Sequence, residues 1–92
     1  MDRFEPWLET MYFYCSSELY DLDRLKAYLA ENEGKEAFVK RRFEEVLAER
    51  PFTALDWEKR MNFEHESDDD LYEFLSALYG FLFEDGPYPE WD

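Results

Sequence analysis

From Trp7 to Phe83 apolar side chains recur at three- and four-residue intervals, the spacing of one face of an α-helix. Only three Gly and four Pro occur, and no Asn-Gly or Asp-Gly joins two extended apolar runs, so hairpin signals are nearly absent. The pattern predicts an all-α fold, a compact bundle of four to five short helices in a single domain over 1–92. Residues 85–92 are expected to form an irregular aromatic tail.

Each segment carries its own markers. The first, about Glu5 to Leu19, places Trp7, Leu8, Met11, Tyr12, Cys15 and Leu19 on one face, and Pro6 suits a first helical turn. The second starts at Asp21 or Asp23, carries Leu22, Leu25, Tyr28 and Leu29, and is expected to stop at Asn32-Glu33-Gly34, with Gly34 as a left-handed terminator. The third runs from about Lys35 to Arg50 with Val39, Phe43, Val46 and Leu47 inward, and its Lys40-Arg41-Arg42 run can pair with Glu36, Glu44 and Glu45. Thr53 and Asp56 have capping-box spacing, with Phe52 and Trp57 at the staple positions of a short fourth helix ending near Asn62. Ser67-Asp68-Asp69-Asp70 caps the last helix, Asp68 to about Phe83, whose stripe is Leu71, Phe74, Leu75, Leu78 and Leu82, widened by Tyr72, Tyr79 and Phe83. The two prolines of Gly86-Pro87-Tyr88-Pro89 cannot continue a helix, so the tail is expected to lie across the surface.

Ninety-two residues fit one domain, and a core of this size depends on dense packing. Nine Phe, seven Tyr and three Trp supply it, so disorder is not expected despite the charge. That charge, −14, opposes direct binding to nucleic acid or to an anionic membrane and favours a basic protein partner. One cysteine forms no internal disulfide, the opening residues lack a secretory pattern, and no apolar run approaches the roughly 20 residues that span a bilayer. A cytoplasmic location is the expectation.

Little in the chain points to catalysis. Cys15 falls on the apolar stripe, where a free thiol acts as a small hydrophobe, and His65 reads as an exposed loop residue without a second ligand at zinc spacing. Glu64, Glu66, Asp68, Asp69 and Asp70 lack the Gly-centred loop of a calcium hand, and neither a phosphate-cradling loop nor a Gly-x-Ser-x-Gly elbow is present. No enzyme activity, cofactor or metal is expected. A binding surface is. Residues 1–34, 35–60 and 61–92 carry net charges of −5, +1 and −10, and the last third contains no Lys or Arg. Acids steer a basic partner while aromatics anchor it. The candidate contacts are therefore Glu66, Asp68, Asp69, Asp70, Tyr72, Glu73, Tyr79, Glu84 and Asp85, with Trp91 as a tail anchor.

An aromatic opening (Trp7-Leu8-Glu9-Thr10-Met11-Tyr12-Phe13-Tyr14), then Leu25-Lys26-Ala27-Tyr28-Leu29, Phe43-Glu44-Glu45-Val46-Leu47 and a closing Leu71-Tyr72-Glu73-Phe74-Leu75 helix follow one another in the chain. This order resembles the small helical immunity proteins of bacterial contact-dependent growth-inhibition systems, and more broadly the small acidic bacteriocin immunity proteins. The resemblance implies a stoichiometric inhibitor of a cognate toxin domain, often a basic nuclease. Two rivals are an acidic nucleic-acid mimic that occupies several DNA- or RNA-binding proteins, and a helical adaptor that docks partners through an apolar groove.

Overall fold

The computed structural model describes residues 3–16 and 20–89. Five helices follow one another: α1 Glu5–Cys15, α2 Leu22–Glu31, α3 Glu33–Glu49, α4 Ala54–Met61 and α5 Asp68–Phe83. No strand is present among the described residues. The Cα radius of gyration, 12.2 Å, matches the roughly 12 Å of a compact chain of this length.

Local chemistry explains most boundaries. Asp21 caps α2 by accepting a hydrogen bond from the Arg24 amide at 3.1 Å. Thr53 and Asp56 form the expected reciprocal box on α4, and the Asp70 amide donates to Ser67 Oγ at the start of α5. Helices α3 and α4 close on left-handed residues, Arg50 at φ 47° and Asn62 at φ 55°.

Two boundaries differ from expectation. α1 ends at Cys15, because Ser16 is already extended, and Leu19 lies outside the described residues. Gly34 does not stop α2 but sits in the first turn of α3, and Asn32 alone separates the two helices. Its side-chain amide donates to the Tyr28 carbonyl at 2.8 Å and its N–H to Leu29 O, so it satisfies the end of α2 without a glycine.

The core is aromatic at its centre. Trp7 packs edge-on against Phe43 at 5.2 Å, stacks on Phe52 at 6.1 Å and meets Trp57 at 6.1 Å, so the two staple residues of α4 converge on a tryptophan from α1. α1 touches α2, α3 and α4, while α3 carries α2 and α5. Leu71, Leu75 and Leu78 of α5 are fully buried. Tyr12, read as part of the α1 stripe, is instead exposed beside Phe13.

The tail folds back rather than merely crossing the surface. The N–H groups of Glu84 and Gly86 both donate to Gly80 O at 2.9 Å, while Asp85 takes the left-handed conformation at φ 54°. Gly86 serves close approach: a Cβ there would stand 3.0 Å from the Gly80 carbonyl carbon. Tyr88 then meets Phe81 edge-on, and Tyr20 donates its hydroxyl proton to the carbonyl of buried Pro89 at 3.3 Å.

Candidate protein-interaction surface

The candidate contacts divide between the two ends of α5. Sixteen helical residues span about 24 Å, so Asp68, Asp69 and Asp70 at one end are well separated from Glu84 and Asp85 at the other. They do not form one patch. Trp91 lies outside the described residues.

At the first end several acids have internal tasks. Asp68 accepts from the Ala54 amide at 2.7 Å and so ties the start of α4 to the start of α5. Asp69 pairs with Arg50 at 2.7 Å, and that guanidinium also lies 4.6 Å over the Tyr72 ring. Together with Phe52 and Ser67 these residues line an open hollow of about 460 Å³.

Tyr72, expected to anchor a partner, is buried. It stands three residues before the fully buried Leu75 on the same helical face, and its hydroxyl is engaged by the backbone of Phe52. Burial pushes its phenol above the ordinary range. Tyr79 is half-buried against Phe43 and Phe83 and donates its hydroxyl to Glu44. Desolvation, reinforced by that carboxylate, raises its pKa to about 12. Asp85 lies 3.6 Å from Lys26, which also stands over the Phe81 ring.

His65 overturns its expected exposure. The sequence Phe63-Glu64-His65-Glu66 alternates buried and exposed, as an extended segment pinned by every second residue does. The His65 ring stacks on Phe63 at 5.7 Å, meets Phe74 at 5.3 Å and approaches Asp70 Oδ2 through Nδ1 at 3.1 Å. The contact is a hydrogen bond in the tautomer whose Nδ1–H donates to the Asp70 oxygen. Nε2 is buried without a partner among the described residues. That apolar–polar alternation was a visible signal; reading His65 by its polarity alone hid it.

Five exposed acids of the last third, Glu64, Glu66, Asp68, Glu73 and Glu84, have no cation within ion-pair distance among the described residues. Asp68 is engaged by the Ala54 amide, and the other four are free to meet a cation from outside.

Other features carry less. Cys15 is wholly buried, its thiol 3.9 Å from Met11 Sδ, and burial drives it strongly toward the neutral form. No group of three His, Cys, Asp or Glu side chains among the described residues could hold a metal ion. No helix is long and apolar enough to cross a membrane. An open groove of about 560 Å³ runs between α1 and α4 over Phe4, Leu8, Phe52 and Trp57, bridged by the Glu5–Arg60 ion pair. Phe13, 63% exposed, falls off the buried stripe of α1 and escaped the sequence reading as a surface aromatic. No protein-family model, curated protein or solved structure matches the chain.

Proposed function

We propose that the protein binds and neutralises a cationic protein in one-to-one fashion, as an immunity protein does for a basic nuclease toxin. The observation that carries this reading is the set of uncompensated carboxylates, Glu64, Glu66, Glu73 and Glu84, in a third of the chain that contains no Lys or Arg. Acids paired internally contribute little outside the molecule, whereas unpaired ones raise the encounter rate with a basic partner. The packed bundle holds them on a preformed frame, which lowers the ordering cost of association. Covering a surface built for nucleic acid requires no catalytic group.

The test is co-expression with the variable C-terminal domain of any large secreted protein encoded in the adjacent reading frame. A tight complex, suppression of that domain's nuclease activity, and association that slows steeply with added salt support the reading. Binding to many unrelated DNA-binding proteins would instead favour a nucleic-acid mimic. Association indifferent to salt and to the acids would favour an adaptor using the α1–α4 groove.

A further inference from the structure

We infer that Asp70 works as a positioning residue, latching the α4–α5 connector so that Glu64 and Glu66 are displayed to a cationic protein partner. The inference rests on the binding reading above and assigns Asp70 a different part from the contact residue its charge suggests. One carboxylate oxygen, Oδ2, serves both the buried His65 ring at 3.1 Å and the Glu66 amide at 3.3 Å, while the Asp70 amide bonds Ser67 Oγ at 3.1 Å. Two consecutive connector residues thus converge on one side-chain oxygen, and the third accepts from the amide of the same residue.

The connector has no helix or sheet ladder of its own. Its outward display depends on Phe63 and His65 staying in the core. Phe63 is held by its apolar contacts with Tyr20 and Phe74. His65 is different: it places a polar ring in an apolar stack with Nε2 unpartnered, so Nδ1 and Asp70 supply its only polar compensation among the described residues. Without Asp70 the ring gains by leaving for water, and the segment bearing both glutamates leaves with it. Apparent affinity then falls by the fraction of molecules that keep the displayed arrangement.

Three variants read this out against cytochrome c, a folded cationic protein, by calorimetric titration at low salt. Asp70→Asn and Asp70→Ala remove the same charge, but only Asn retains an oxygen for His65 and the Glu66 amide. The alanine variant should bind about three- to tenfold more weakly than the asparagine variant, the ratio one such hydrogen bond carries. His65→Phe places in the same stack a ring that needs no polar compensation, so it should bind as the parent does, and in its background the difference between the two Asp70 variants should shrink. Faster amide exchange confined to residues 64–67 in the alanine variant completes the expected result. Equal affinities for the two Asp70 variants in the His65 background would overturn the latch. Failure of the binding reading looks different: no association, or association insensitive to salt, between the parent and the cationic domain encoded in the adjacent reading frame, while the amide-exchange pattern of the variants decides the latch by itself.

Discussion

Tyr72 and Phe52 exchange two hydrogen bonds: the tyrosine hydroxyl accepts from the Phe52 amide at 3.0 Å and donates to the Phe52 carbonyl at 2.8 Å. One side chain of α5 thereby satisfies both backbone groups of a residue in the α3–α4 connection, which follows Pro51 and belongs to no helix. Tyr72→Phe should keep the ring in place yet destabilise the fold by about 1–3 kcal/mol, because both Phe52 groups lose their partner. Urea unfolding measures this, and binding to a cationic protein should be unaffected in the folded variant.

Leu75 is fully buried on the face of α5 that meets the rest of the bundle. Leu75→Ala should cost about 2–5 kcal/mol, combining lost transfer energy with a residual cavity. A denaturation midpoint near that of the parent would contradict this packing.

Two glycines should respond oppositely to alanine. At Gly80 a Cβ meets only Glu84 Oε1, at 3.9 Å, so Gly80→Ala should stabilise this last-turn helical position by up to about 1 kcal/mol. At Gly86 the new carbon would crowd the Gly80 carbonyl at 3.0–3.1 Å, and the backbone that must yield is held by hydrogen bonds. Gly86→Ala should cost about 1–3 kcal/mol and expose the tail amides to exchange.

The Tyr79 phenol, held protonated by desolvation and by Glu44, should ionise near pH 12 rather than 10 in the folded protein. Because the folded value is the higher one, this contribution to stability is complete below pH 10 and disappears as pH rises toward 12. Ultraviolet titration of the parent against Tyr79→Phe isolates the late-ionising phenol.

Asp56 shifts the other way, its carboxylate favoured first by the Thr53 amide and then by the Thr53 hydroxyl. The folded value lies below the ordinary one, so its contribution is present above about pH 4 and is lost as pH falls through the folded value. Acid unfolding of the parent should therefore be steeper than that of Asp56→Asn, compared by far-ultraviolet dichroism.

The helices were legible because burial imposes a 3.6-residue period and because Thr53, Asp56 and Ser67 are caps whose chemistry is local. What the stripe does not reveal is how far apart in sequence the groups that compensate one another stand. Arg50 reaches Asp69 across 19 positions, and Lys26 reaches Asp85 from the opposite half of the chain, so acids that look alike in sequence differ in availability. Tyr72 sat on the predicted stripe, but its acidic neighbours suggested a partner; burial and the Phe52 backbone prevailed. Gly34 read as a terminator, yet Asn32 bonds the preceding turn and leaves the glycine to a tolerant first turn of α3.

The meeting of Trp7 and Trp57 at the centre of the bundle gives the molecule an internal optical gauge. With ring centroids 6.1 Å apart at an interplanar angle of 49°, these fully enclosed indoles should couple and produce a strong near-ultraviolet dichroic band. Loss of that band while far-ultraviolet ellipticity persists would mark a state whose helices survive but whose side chains no longer interlock. Loosening of the centre is thereby separable from the loss of any one helix, using only chromophores the chain already contains.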